Sequence, residues 1–348
     1  MLKKFILLLL PIVFVSCVST SAAVKRGSMP SWVNDVYSSF DKTKYVAATG
    51  FARDRAQAQA NALAALTAYF GQTVEVEKQA VSSYSQAIMN GAMESWIDTA
   101  QLKTSVKSTS MFDNLMGAEI KEVWFDSKDT YYAAAVMEKA AGIRIYSEML
   151  DANNNVIANL MKEGAKDINS LQSVMCLYFA ETIAEVNQLY RHIIVLLGGE
   201  TKDKILGPLY YRTEALKIIK ANPINVKISN DRNGRIFSAF AKEAGVFGFE
   251  TSQSASNIKP RYELDVNIVL SPVSLPNNPN IFSRIELTAK LTDTKLNQVL
   301  IPYSFASREG HTSQSEADNR CILSAERNIN ENFSVLLDDY LKQLRPRK

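Results

Sequence analysis

The hydrophobic positions of the chain follow two periods, and the change of period marks its helices and strands. Apolar residues recur at helical spacing over residues 171–197, in one stripe that ends at Gly198. Over residues 262–270 apolar and polar residues alternate, as in a strand with one buried and one wet face. Residues 281–292 and 298–306 predict two more strands around a polar turn. The pattern therefore predicts an α+β fold, with antiparallel sheets packed against helices.

The N-terminal part predicts a strand over residues 45–51 and then an alanine-rich helix. Asp54, with Gln57 three residues later, forms a capping-box pattern at the start of this helix. Residues 119–125 and 130–136 predict two further strands. We expect one helix face of small residues to pack closely on the sheet, namely the face with positions 56, 60, 63, 67 and 70.

The C-terminal third predicts the order β-α-β-β-β-β-α and one antiparallel sheet with helices on one side. Its last helix should begin near Thr312 or Ser313. Between the two α/β domains, long helical segments cover the residues up to Pro223. The predicted organisation comprises a signal peptide (1–16), a flexible tether (17–29), an N-terminal α+β domain (30–165), a helical linker segment (166–222) and a C-terminal α+β domain (223–348).

The first seventeen residues have the composition of an export signal. Lys3 and Lys4 precede an apolar run over residues 5–15, which is too short to span a bilayer as a helix of roughly 20 residues. The run ends in Val-Ser-Cys, and residues 14–17 resemble a bacterial lipobox, although Phe14 stands where Leu is usual. An ordinary secretory signal that is cut near Ala22 is the alternative.

The lipobox resemblance implies that Cys17 carries a covalent diacylglycerol and a fatty acid, with no other cofactor. Two or three acyl chains on one residue would hold the protein at a membrane, because one chain alone binds only reversibly. We therefore expect a bacterial lipoprotein at the outer membrane, with the inner membrane or the cell surface as alternatives.

A second resemblance begins after the tether. The residues Pro-Ser-Trp-Val at 30–33, the strand 45–50 that ends in Gly and the alanine-rich helix resemble the Lpp-twenty-type family of outer-membrane lipoproteins. The same beginning resembles the N-terminal domain of the flagellar-ring protein T more weakly. The likeness covers residues 30 to about 140 and implies a small α+β domain without agreed catalytic residues. In this family Trp32 caps the core of the domain; a place at the membrane interface is the alternative.

Composition and motifs favour a protein that is not an enzyme. The 39 basic and 36 acidic residues nearly balance, and no basic segment indicates nucleic-acid binding. The two histidines, His192 and His311, lack the spacing of metal ligands, so we expect no metal site. No nucleophile motif or phosphate loop occurs. We expect Cys176 and Cys321 to be buried thiols rather than a disulfide.

The best candidate for a partner contact is the proline-containing loop over residues 271–280, which contains Pro272, Leu275, Pro276 and Pro279. A long hairpin connection without a partner is equally compatible with the pattern.

The sequence therefore favours a lipid-anchored envelope lipoprotein that acts as a structural or protein-interaction module. Candidate partners are flagellar-ring or wall-synthesis proteins, or a second copy of the chain. The alternatives are a carrier or sensor of an apolar ligand and a cell-wall hydrolase. The carrier would use a cavity between the long helix and the sheets, and it needs an apolar pocket above roughly 300 Å³. The hydrolase needs two carboxyl groups within roughly 5 to 10 Å of each other in one cleft.

Overall fold

The structure is a computed structural model, and it has the predicted α+β fold. By their contacts the described residues form two compact units, which part between residues 142 and 143. The predicted signal, Cys17 and residues 71–114 lie outside the described residues, and the predicted domain boundaries stay predictions. The structure describes residues 22–70, 115–201, 206–253, 260–276 and 278–344.

The first unit is one four-stranded sheet with a helix. Its sheet order is β1-β3-β4-β2, in which β1 is parallel to β3 and the other pairs are antiparallel. The carboxylate of Asp126 accepts three backbone N–H bonds and so stabilises the β3–β4 turn between the two predicted strands. The elements are β1 (Val24–Lys25), β2 (Tyr45–Ala52), α1 (Arg55–Tyr69), β3 (Ala118–Phe125) and β4 (Tyr131–Glu138).

Helix α1 begins as predicted, because the Asp54 carboxylate accepts the backbone N–H of Gln57 at 2.9 Å. The predicted buried face is wrong except at position 70. Positions 56 and 60 are exposed, and the side chains that face the sheet are Ala58, Ala62, Leu66 and Phe70. Alanine occurs on several sides of this helix, so its positions do not indicate which side is buried. The large apolar side chains Leu66 and Phe70 determine the buried face.

Trp32 lies in the core of the first unit, as the resemblance implied. Its indole is almost fully buried, and its Nε1–H donates to the Glu122 carboxylate at 2.8 Å. It packs in a cluster with Phe40, Trp124 and Val136 on one side of the sheet. A buried indole whose N–H is bonded is a structural residue and not a membrane anchor.

The second unit begins with helices. α2 and α3 form an antiparallel pair, in which Asn153 donates to Asn187 at 2.7 Å and the Tyr146 and Tyr190 rings lie 5.6 Å apart. Most α3 side chains are buried, so its long apolar stripe is core, as predicted. The bounds are α2 (Lys139–Gly164), which starts in the last residues of the first unit, α3 (Leu171–Leu196) and α4 (Pro208–Ala221).

The rest of the second unit is a five-stranded sheet of order β6-β5-β7-β8-β9. Helices α5 and α6 pack on one of its faces, and the other face carries the polar residues of the alternating strands. The Ser313 hydroxyl accepts the Glu316 N–H and caps α6, as predicted. The elements are β5 (Ile224–Ser229), α5 (Arg235–Gly245), β6 (Thr251–Ser252), β7 (Tyr262–Val273), β8 (Ile281–Asp293), β9 (Gln298–His311) and α6 (Gln314–Gln343).

This second sheet is mixed, which corrects the prediction of a fully antiparallel sheet. β5 pairs parallel with both β6 and β7, and only β7–β8 and β8–β9 are antiparallel. The reason is the helix α5 that follows β5. A strand, a crossover helix and a returning strand in one sheet give parallel pairing.

Candidate functional site

The proline-containing loop lies between β7 and β8, at one end of the longest pair of strands. Pro272 is part of β7 and faces Ser283 in the register, so it belongs to a strand and not to the loop. It lies beyond the end of β5, where only β8 borders the strand and a residue without an N–H is tolerated. Pro276 and Pro279 are exposed, and Leu275 is half-buried. The loop therefore offers apolar groups at the surface.

Cys176 and Cys321 are both buried and do not form a disulfide. Burial raises the pKa of the Cys176 thiol to about 11, so almost none of it is thiolate at neutral pH. The Cys321 sulfur donates to the Ser283 carbonyl at 3.2 Å. Neither thiol has the electropositive surroundings of a nucleophile, so both serve as small apolar side chains.

A cluster of charges around Arg261 joins the turn after α2 to the sheet of the same unit. Its guanidinium binds the Asp167 carboxylate in bidentate fashion, at 2.9 and 2.6 Å, and also donates to Asp293 at 3.0 Å. Lys295 adds a bond to Asp167 at 2.9 Å. Next to this cluster, the backbone N–H of Leu171 donates to the Tyr262 hydroxyl at 2.9 Å. The cluster lines a cleft of about 430 Å³.

This cleft contains two neighbouring carboxyl groups, which a cell-wall hydrolase would need. Asp167 and Asp293 both contact the same nitrogen of Arg261, Nη2. The hydrogen bonds from Arg261 hold the pKa of Asp167 at about 2. A glycoside hydrolase needs one carboxyl group whose pKa is raised, so that it can donate a proton at neutral pH. The geometry brings two carboxylates together, but Arg261 keeps Asp167 ionised. The cluster is therefore better explained as a structural ion-pair network.

A second polar cluster lies between β8 and α6. The Ser283 hydroxyl bonds to the side chains of Asp318 and Gln314, and Asp318 also pairs with Arg232 at 2.9 Å. Ser283 is fully buried and no histidine contacts it among these bonds. The base within reach is the Asp318 carboxylate, and although burial raises its pKa, the hydrogen bonds from Ser283, Gln314 and Arg232 bring that pKa below its usual range. Asp318 is therefore a weak base, and it does not make the Ser283 hydroxyl an activated nucleophile. The cluster satisfies buried polar groups beneath the sheet.

Another concave feature lies in the helical part of the second unit. A cleft of about 400 Å³ opens between the end of α2, the start of α3 and α4. Its apolar lining includes Leu160, Met161, Leu177 and Ile218, with Cys176 among them. This volume is within the roughly 300–1,000 Å³ range of small-molecule sites, and its wall has the apolar composition such sites share.

Three helix ends create this cleft, and small residues leave it open. Gly164, Ala165 and Ala221 lie along its wall, where larger side chains would reduce its volume. A Cβ on Gly164 would lie 3.2 Å from the Ser173 hydroxyl, so the end of α2 approaches α3 closely. The sequence pattern predicts a ligand cavity between the long helix and the sheets, whereas this cleft lies among three helices. We name this cleft the helical cavity.

The described residues give no indication of a metal site or a membrane-spanning helix. Across the described ranges, no three residues among His, Cys, Asp and Glu are grouped to hold a metal ion. Within the same ranges, no helix combines the length and the apolar character that crossing a membrane requires.

Comparison with known proteins gives no family: no family model matches the chain, and no curated protein matches it. The resemblance to the Lpp-twenty-type family therefore stays a prediction. Among solved structures, the secreted protein HP1454 from Helicobacter pylori matches at 14% identity and a TM-score of 0.39, over 82% of this chain and 97% of that chain.

Two shorter matches are lipoproteins. A putative lipoprotein from Caulobacter crescentus matches at 15% identity and a TM-score of 0.25, over 33% of this chain and 90% of that chain. Lipoprotein GNA1162 from Neisseria meningitidis matches at 12% identity and a TM-score of 0.22, over 32% of this chain and 99% of that chain. The neighbours are thus bacterial secreted proteins and lipoproteins, and at these TM-scores no activity is transferred from them.

Proposed function

We propose that this chain is a lipid-anchored lipoprotein of the bacterial envelope that acts by binding another protein and not by catalysis. The anchor is Cys17, and the outer membrane is its proposed location. The observation that carries the binding role is the exposed proline-containing loop, which places Leu275, Pro276 and Pro279 at the end of the β7–β8 hairpin. Prolines limit the loop's conformations, so less entropy is lost when a partner binds.

The carboxyl, thiol and hydroxyl groups of the clusters described above are not activated, which supports a non-enzymatic role. Arg261 holds Asp167 ionised, burial holds Cys176 as a thiol, and Ser283 is bonded to Asp318 and Gln314 without a histidine. The proposed partners are envelope proteins of the flagellar ring or of wall synthesis, or a second copy of the chain.

The test is site-specific photo-crosslinking in intact cells. A photoreactive amino acid at Leu275 should form adducts with a defined envelope protein, or with the chain itself. The control is the same amino acid at Leu296, an exposed apolar residue in the β8–β9 turn. No adduct at Leu275, or the same adducts at both positions, would contradict a contact through this loop.

A second candidate function, a carrier or sensor of an apolar ligand, is favoured by one specific observation. The helical cavity has the volume and the apolar lining that the hypothesis requires. The two functions are compatible, because the loop and the cavity share no residue.

A further inference from the structure

We propose that the helical cavity binds the apolar chain of an uncharged amphiphile, such as an acyl glycerol, with its polar end at the mouth. This inference rests on the carrier function named above as the second candidate. The ligand class follows from three features of the cavity: its interior, its mouth and its charges.

Apart from the Ser173 hydroxyl, the buried side chains of the interior are apolar. Leu160, Leu177 and Cys176 are buried in its wall, and Met161 and Ile218 complete the apolar surface. A charged group in these surroundings would lose its hydration without gaining a partner. An acyl chain loses only unfavourable contact with water when it enters, at a gain proportional to the apolar area it buries.

The mouth of the cavity carries two exposed side chains with apolar surface. Ile168 is 64% exposed and Tyr210 is 41% exposed, and both line the cavity. They extend the apolar wall outward, so that an elongated ligand can enter along one apolar path. Tyr210 combines an apolar ring with a polar hydroxyl group, which suits the boundary between an acyl chain and a polar head.

The charges at the cavity indicate that the head carries no net charge. Glu214 and Lys217 are the charged residues of the lining, and they form an ion pair at 2.7 Å. Because Lys217 is already paired, it is not a free partner for a carboxylate or phosphate. An anionic head near Lys217 would also lie near Glu214, whose charge repels it. An uncharged head avoids this repulsion and can still form hydrogen bonds with either side chain.

The binding test uses the full chain with Cys17→Ser, so that no attached lipid competes. Titration with N-phenyl-1-naphthylamine, a neutral apolar dye, should give a saturable rise in fluorescence. Ala221→Trp and, independently, Ala165→Trp add an indole at the exposed edge of the cavity wall, where it obstructs entry, and should weaken dye binding at least tenfold. Leu216→Trp is the matched control, because Leu216 lies on α4 like Ala221 but is exposed and does not line the cavity. Circular dichroism checks that each variant is folded.

The specificity test compares two competitors with the same acyl chain. Monolaurin, which is uncharged, should displace the dye at a concentration at least tenfold lower than laurate, which carries a carboxylate. Glu214→Gln removes the repelling charge and frees Lys217, so laurate should approach monolaurin in this variant.

The outcomes separate the two levels of the proposal. If the dye does not saturate, or if folded Ala221→Trp and Ala165→Trp variants bind it as well as Leu216→Trp does, the cavity is not a ligand site and the carrier function is wrong. If these variants lose binding but laurate and monolaurin compete equally, the cavity binds ligand and the uncharged-head inference is wrong.

Discussion

Replacing Gly50 by alanine adds one carbon at the point where α1 crosses the first sheet. The new Cβ would lie 2.6 Å from the backbone carbon of Asn61 and 2.7 Å from the carbonyl oxygen of Ala58, and closer still to the backbone nitrogen of Ala62. All three atoms belong to the helix backbone, so no side-chain rotation relieves the clash. The helix must move away from β2 to accommodate the carbon.

The size of the effect follows from two opposing terms. A Gly→Ala change stabilises by about 0.4–1 kcal/mol where the site accepts it, because the unfolded chain loses freedom. Overpacking of a core costs about 1–3 kcal/mol and sometimes more. With three backbone contacts we expect the upper end of the overpacking cost, about 3 kcal/mol, so after the opposing gain Gly50→Ala should lower the free energy of unfolding by about 2–2.5 kcal/mol.

The assay is urea unfolding followed by tryptophan fluorescence. Trp32 and Trp124 are both buried in the first unit, so in a Trp96→Phe background the signal reports that unit. Gly245→Ala is the contrasting control; it lies in the second unit, so its unfolding is followed by circular dichroism. A Cβ there meets nothing within 4 Å, and the change should be neutral or slightly stabilising. If Gly50→Ala left the midpoint unchanged or raised it, the close approach of α1 and β2 would be refuted.

Further predictions concern the second unit and the cap of α1, with thermal or urea unfolding as the measurement. Arg261→Met should destabilise by about 3–5 kcal/mol, because Asp293 is left buried without its partner; a loss below about 1 kcal/mol would contradict this. The pKa of Asp167 is depressed to about 2, so its contribution of about 2 kcal/mol is present above pH 4 and lost as pH falls toward 2; Asp167→Asn should flatten this part of the pH profile, and an unchanged slope would show that Asp167 is not responsible. Asn187→Leu leaves the buried amide of Asn153 without that bond and should cost about 1–3 kcal/mol, part of which returns when both become Leu. Asp54→Ala should cost about 1 kcal/mol of folding free energy, because the α1 cap is lost. Arg53→Ala should cost much less, because Arg53 is exposed and takes no part in the cap.

Local signals in the sequence were sufficient to predict most elements. The caps Asp54 and Ser313 were located because an N-cap needs only a short polar side chain and a nearby N–H. The strands from 262 onward were located because their polar face meets water, which makes the alternation clear. These features depend on residues within a few positions of each other.

The features that were missed depend on contacts between distant residues. The prediction of the buried face of α1 was wrong at most positions, because alanine is compatible with either side of a helix. Only the close approach of the helix to Gly50 shows which side faces the sheet. Arg261 has partners 94 and 32 residues away, which no local pattern connects. The helical cavity was not located either, since Gly164 and Ala221 resemble ordinary helix ends until α2, α3 and α4 are placed together.

The central claim of a lipid anchor on Cys17 is tested most directly by metabolic labelling. Cells that express the chain are grown with a radioactive fatty acid, and the protein is isolated and counted beside its Cys17→Ser variant. The Cys176→Ser variant is the matched control, because that thiol is buried in the fold. We predict label in the wild type and in Cys176→Ser and none in Cys17→Ser. Equal labelling of Cys17→Ser, or no label in any of the three, would contradict the lipoprotein assignment.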